Sequence, residues 1–352
     1  MDIVLARKDF TRLGLIENAN IIWTSRYYKT GDFQIIIPAT DDNIALVNES
    51  YWVIRDDDED NIGIIEDTTI NNTSETGDQI TIVGGLSPKV LFRRIISQQT
   101  QLYGNVQTNI RNLVLQNVIN PTKQERKIAC IELGELSEDI TEKIEMQTTG
   151  DNLLTKIEEI CETYSIGFRM PLRNGKLYFE LYKGIDRSYN QNENPWVVFA
   201  EEYDNLIESE YYYLTSDLKN VFLIAGEGEG LDRKVLWGAS KGNETTIKDL
   251  DRYEVYVDQR DLSSNEEDIS NEEYTKQLND EGKANLVSIS QAFSGKIILN
   301  NVVYGKQKNG GDVFLGDIVT IKNWGVSINA RIIETIESQD ENGKVITLTF
   351  GI

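Results

Sequence analysis

Glu158, Glu159 and Glu162 stand close together in the run NLLTKIEEICETYSIGF, and a pair of carboxylates is the minimum equipment of a glycoside hydrolase. One carboxyl must protonate the leaving group while the other acts as base or nucleophile, so the two must flank a cleft. The helical spacing of Leu154, Ile157, Cys161 and Tyr164 puts an apolar stripe on one side of this segment and the three glutamates on the other. A solvated helix face is the preferred reading. A cell-wall hydrolase using such a pair is the alternative.

Other candidates fare no better. The chain has no histidine, which removes Ser-His-Asp and Cys-His catalysis, H-E-x-x-H zinc sites and the usual general base near neutral pH. Cys130 and Cys161 form no C-x-x-C pair, and Cys161 falls on the apolar side of its helix, where a buried thiol is expected. Gly226, Gly228 and Gly230 lack the G-x-G-x-x-G spacing, and Glu227 and Glu229 between them would repel a pyrophosphate. That run reads as a flexible exit from a strand. Asp56 to Asp60 are five consecutive acids without the spaced ligands of a calcium loop, so they read as a solvated turn. Trp52, Trp196, Trp237 and Trp324 suit stacking on sugars or bases, but tryptophans scattered over strands more often anchor cores and interfaces. No catalytic, cofactor or metal residue is assigned, and a non-enzymatic protein is expected.

Bulk composition points the same way. A chain of 352 residues exceeds one ordinary core, so two or more domains are expected. Its net charge of −23 opposes specific nucleic-acid binding through phosphates and docking on an anionic membrane. The N-terminus MDIVLARKDF has no signal-peptide pattern and no apolar run approaches a membrane span. A soluble protein made in a cytoplasm is expected, with no membrane insertion.

The elements that would position any surface follow from periodicity. Residues 2–5 and 14–16 read as a first hairpin, and IIWTSRYY with DFQIIIP as a second, turning at Lys29-Thr30-Gly31. A helical turn over ATDDNIALVNES comes next. Ser87-Pro88 predicts a helix with serine as its cap, carrying Val90, Leu91, Ile95 and Ile96. Val106, Ile110, Val114 and Val118 form the stripe of a second helix, and Asp151 is the expected cap of the third. Asn174-Gly175 marks a hairpin between IGFRMPL and KLYFELYKG. Strands are expected near KVLWGAS and RYEVYVD, and a helix over NEEYTKQLNDEGKANL with Tyr274 and Leu278 on one side.

One pattern occurs twice. Ile64-Ile65-Glu66 can be laid on Ile332-Ile333-Glu334, and Gly77 with Ile80-Thr81-Ile82 then nearly matches Gly343 with Ile346-Thr347-Leu348. The expected fold class is mainly β (α+β), with two similar antiparallel β-barrel domains framing an inserted α+β domain and a small appended one. The boundaries are 1–87 for the first barrel, 88–195 for the insert, and 196–231 for strands returning to the barrel layer. An acidic unit over 232–290 and the second barrel over 291–352 complete them.

Six ordered blocks bring a family with them: GDFQIIIPATDDN, GGLSPKVLFRRII, TGDNLLTKIEEICETYSIGF, Asp186-Arg187-Ser188, YDNLIES and NVFLIAGEGEG. Together they resemble the baseplate hub or tail-associated structural proteins of long-tailed phages and prophages of Gram-positive bacteria, akin to the hub of the T-even baseplate. The resemblance implies a virion protein at the tail tip: a homotrimer whose two barrels per chain make a ring of six on the tail tube. It also implies synthesis in the bacterial host cytoplasm and contacts with other tail-tip proteins. In that setting the net charge of −23 leads to the expectation of an acidic channel through which DNA passes without being gripped. A C-terminal peptidase, fibre or carbohydrate-binding extension, present in longer relatives, is expected to be missing here. The assembly contacts are expected around Gly31, Asp32 and Phe33 and around Gly316, Asp317 and Ile318.

Overall fold

The computed structural model describes residues 1–17, 19–58, 61–73, 77–260, 262, 270–288, 290–297, 304 and 312–351. The chain divides into two compact units: Met1–Glu210 with Phe293–Ile352, and Tyr211–Ala292.

The first unit opens with the two expected hairpins, β1 (Ile3–Ala6) with β2 (Arg12–Ile16), and β3 (Asn20–Arg26) with β4 (Asp32–Pro38). Thr40 caps α1 (Asp41–Glu49), its hydroxyl accepting from the Asn43 amide. Then follow β5 (Trp52–Arg55) and the long hairpin β6 (Ile62–Thr73) and β7 (Gly77–Leu86). β1 and β5 are buried along their whole length, which their unbroken apolar runs IVLA and WVI already suggest. One of their faces joins a core with Trp23, Phe33, Ile35, Ile80 and Ile82. The other, through Val4, Trp52 and Ile54, joins a core that continues into residues 90–181.

That second core belongs to an α+β lobe. It contains β8 (Thr100–Asn105), α2 (Val106–Val114), β9 (Ile131–Leu133), β10 (Lys143–Thr148), α3 (Leu153–Tyr164), β11 (Gly167–Arg169), β12 (Leu172–Arg173) and β13 (Lys176–Tyr182). β8 pairs with β10, and β11, β12 and the parallel β9 all pair with β13. Asn174 and Gly175 both take positive φ in the two-residue turn between β12 and β13, as the sequence signal requires. Two caps differ from expectation. Ser87 lies inside a 3₁₀ helix (Ser87–Arg93) and its hydroxyl donates to the Met170 carbonyl rather than capping. The cap of α3 is Asn152, while Asp151 accepts from the Thr148 hydroxyl.

After β14 (Val198–Ala200), β15 (Leu206–Leu214) leads out of this unit. The chain comes back through β19 (Ser290–Ile297), then β20 (Ile318–Asn323), β21 (Val326–Asp340) and β22 (Gly343–Gly351). These last strands enclose a core of Phe199, Val319, Ile321, Ile332, Leu348 and Phe350. Among the described residues they close no barrel of their own. β21 pairs with β3, so one sheet runs β22-β21-β3-β4-β7-β6-β5-β1-β2, with β20 beside β21 and β14 beside β20. Among the described residues this path closes nowhere, and the two-barrel expectation is replaced by a shared open sheet. Period-2 alternation fixes which face of a strand is apolar. It does not say which edges meet.

The second unit, Tyr211–Ala292, holds a three-stranded sheet with β16 (Val221–Ala225) between β17 (Val235–Ala239) and β18 (Glu254–Asp258). α4 (Asn271–Ala284) lays Tyr274 and Leu278 on Phe222, Ile224 and Val257. It starts at a capping box in which Ser270 and Glu273 satisfy each other's backbone amides.

Candidate assembly surface

The expected contact residues are mostly internal. Gly31 and Phe33 are buried, and Phe33 stacks on Trp23 with ring centroids 5.2 Å apart. Asp32 is exposed and pairs with Arg26, which also reaches Glu334 at 2.7 Å. Gly316 has φ +96°, and a Cβ there would stand 2.3 Å from the buried Tyr27 ring, so both the turn and the close approach demand glycine. Asp317 is buried and accepts from the Ile185 amide (2.7 Å), Arg187 Nε (2.9 Å) and the Phe314 amide (3.0 Å). Ile318 carries this tie onward, its amide donating to the Ile185 carbonyl and its carbonyl accepting from the Arg187 amide. Asp317 and Arg187 thus join the Asp186-Arg187-Ser188 triplet to β20. Neither sequence spacing nor residue type signalled that pairing across 130 residues.

A second buried pair does the same elsewhere. Arg55, 3% exposed, bonds Glu337 at 2.6 Å and Asp57 at 2.9 Å, and lies over the Trp23 ring. Burial works to raise the Glu337 carboxyl, but the Arg55 hydrogen bonds and charge, with Lys344, outweigh it and hold the group below the usual carboxylate range.

What these ties support is a sheet face. On β6, β7, β4, β3, β21 and β22 the residues pointing away from the core form lateral rows. One runs Asp67, Val83, Gln34, Ile22, Ser338, Val345, and the next Thr69, Thr81, Ile36, Asn20. Ile22 is 46% exposed and Val345 41%. Asp67 is the only ionisable group in these two rows, in a chain with 26% charged residues. Charge depletion of this kind marks the centres of protein interfaces rather than ordinary solvated surface.

The alternative chemistry finds no support. The three glutamates diverge: Glu158 is half-buried and accepts from the Thr30 amide at 2.7 Å, Glu159 pairs with Lys156 at 2.6 Å, and Glu162 with Lys29 at 3.3 Å. Glu158 therefore departs from the solvated face expected of it, because the β3–β4 turn packs over the helix. Cys161 is fully buried, and burial pushes its thiol well up, away from reactivity. Among the described residues no cluster of acids and cysteines is placed to hold a metal ion. No helix among them is long and apolar enough to cross a membrane. The glycine run is pinned rather than loose: the Glu227 amide donates to the Tyr274 hydroxyl and Arg233 Nε to the Gly226 carbonyl. Trp52 is buried, whereas Trp196, Trp237 and Trp324 are exposed. Two residues of the acidic tip, 59 and 60, lie outside the described residues.

The fold is that of phage and prophage tail proteins. The tail protein from Neisseria meningitidis MC58 is 15% identical, over 100% of this chain and 96% of its own, with a TM-score of 0.57. The 43 kDa tail protein of prophage MuSo2 from Shewanella oneidensis is 12% identical, over 99% and 98%, with a TM-score of 0.55. Prophage tail protein gp18 from Listeria monocytogenes EGD-e is 12% identical, over 99% and 94%, with a TM-score of 0.50. At such identities the likeness is one of fold. Comparison with curated protein sequences gives no match. The chain belongs to the siphovirus ReqiPepy6 Gp37-like protein family, whose model matches residues 3–352. By family it is a siphovirus ReqiPepy6 Gp37-like protein, and its fold, mainly β, is that of the tail proteins just described.

Proposed function

We propose that this chain is a non-enzymatic tail-tip hub that trimerises, closes the distal end of the tail tube and converts sixfold to threefold symmetry. The observation that carries the reading is a pair of like hairpins, β6–β7 and β21–β22, set on either side of β3–β4 in one sheet. Three chains with two such modules each, residues 1–87 and 291–352, present six near-equivalent surfaces while the ring itself closes with three copies. The nearly uncharged rows through Ile22 and Val345 lie across both hairpins and are the surface offered to a tube ring. In this scheme Gly31, Phe33, Gly316 and Asp317 act from beneath, fixing the turns, while Asp32 and the Ile318 strand lie at the contact. The segments 88–195, 196–231 and 232–290 complete the protomer and meet neighbouring tip proteins. The virion is then the protein's location.

Light scattering on the full chain, alone and with tube protein, tests this directly. A trimer, or three copies capping each tube end, is the expected result; a monomer that ignores tubes overturns the reading. Ile22→Glu is expected to abolish capping while leaving the melting temperature within a degree or two, because Ile22 points out of the core.

A further inference from the structure

Residues 211–292 carry an arrangement separate from the hairpins and sheet rows of the proposed hub surface. α4 covers one face of the β17-β16-β18 sheet, so alternation turns Leu223, Val235, Trp237, Glu254, Tyr256 and Asp258 to the other. Leu223 pairs laterally with both Trp237 and Tyr256. The two aromatic side chains therefore flank it, two strand spacings or about 9.5 Å apart at their roots. Trp237 is 41% exposed and Tyr256 56%.

Two arginines cross the central strand at its ends. Arg233, entering β17, donates to Asp258, to the Tyr256 hydroxyl (3.0 Å) and to the Ala225 carbonyl (2.7 Å). Arg252, entering β18, lies 5.2 Å from the Trp237 ring centre and donates to the Glu244 carboxylate and carbonyl (both 2.9 Å) and to Glu254. Val221 and Ala225 are buried, while Leu223 between them stays half-exposed. The result is a sheet face with an apolar centre, an aromatic ring on either side and a guanidinium–carboxylate pair at each end. Its side chains are held in place before any ligand arrives, which lowers the ordering cost of binding.

We propose that this face binds a neutral oligosaccharide. Sugar rings present apolar C–H faces, which pack on Trp and Tyr, and hydroxyls that both donate and accept. Paired guanidinium and carboxylate groups supply the matching acceptors and donors. Anionic ligands fit poorly: each guanidinium is already neutralised, and residues 211–292 hold 17 Asp and Glu against 9 Lys and Arg, a net of −8. Nucleic acid would stack equally well but brings phosphates. A protein interface would show a charge-depleted centre, whereas charged groups border both rings here.

The full-length protein is titrated with cellohexaose, maltohexaose and chitohexaose, following tryptophan fluorescence and calorimetry, with a glycerol-phosphate polymer as the anionic probe. At least one neutral hexasaccharide is expected to bind and shift the emission. Trp237→Ala and Tyr256→Ala are each expected to weaken binding about tenfold, the loss of one stacked ring. Trp237→Phe, which keeps a ring, is expected to retain most of the affinity, and Trp324→Ala all of it. The proposal is overturned if none of the three sugars binds at millimolar concentration. It is also overturned if binding survives Trp237→Ala in a protein whose melting temperature is unchanged, or if the anionic polymer binds and the sugars do not.

Discussion

The hairpins β6–β7 and β21–β22 match pair for pair. From Thr73 opposite Gly77 and Asp340 opposite Gly343, nine successive pairings correspond, and each hairpin carries a single bulge at the same step, at Glu66 and at Ile333. That register equates Ile65 with Ile332 and Gly84 with Phe350, one residue away from the overlay that the sequence suggests for the first strand. Their surroundings differ. Beyond Ile64 no further residue of β6 pairs with β5, and residues 66–72 are exposed. β21 is flanked along its length by β20 and β3 as well as β22, and is largely covered. Equivalent positions therefore have opposite fates: Ile70 is 54% exposed, whereas its counterpart Glu337 is buried on Arg55. An apolar residue faces water and a carboxylate faces the core. Hairpin geometry is local; which of its edges finds a partner is not.

The sharpest break of this comparison is at the Gly84–Phe350 position. Phe350 is buried against Phe199, 5.7 Å between ring centres, so Phe350→Ala is expected to cost about 3–5 kcal/mol in denaturant unfolding. Next comes Glu337→Ala, which leaves Arg55 buried with only Asp57 and is expected to cost about 3 kcal/mol. The glycine counterpart follows: a Cβ on Gly84 would stand 1.9 Å from the Ile64 carbonyl oxygen, so Gly84→Ala is expected to cost about 1–3 kcal/mol through backbone displacement. Ile70→Ser, on the free hairpin, is expected to change stability by no more than about 0.5 kcal/mol.

Acid sharpens the contrast. Because the folded-state pKa of Glu337 is depressed, its contribution is complete above the unfolded carboxylate value of about 4.3 and is lost as pH falls through the folded one. The wild-type advantage over Glu337→Gln in urea midpoint is expected to be full at about pH 6 and to shrink toward about pH 3. An advantage that grew on acidification would contradict the buried pair.

Much of the secondary structure was legible. The two opening hairpins, the stripe of Val106, Ile110, Val114 and Val118, and the Asn174-Gly175 turn all announce themselves through period and turn chemistry. Capping was less so: Ser87 and Asp151 suit a cap by type, but Met170 and Thr148 engage them instead. Charge pairs were invisible. Arg55 and Glu337 lie 282 positions apart, and neither looks different in sequence from the many acids and bases at the surface. Even the reading of Glu158 as solvated failed for a tertiary reason, the β3–β4 turn that covers it.

The sequence alone determined the strands, their apolar faces and the twofold recurrence of a hairpin pattern, because alternation and turn residues act over a few neighbours. Only the tertiary structure decided that β3 and β21 pair, so that the two ends of the chain share one sheet. It alone left Ile22 and Val345 outward on a nearly uncharged face, and set Trp237 and Tyr256 between two braced arginines. Each depends on edges and side chains meeting across distances in sequence over which local periodicity carries no information.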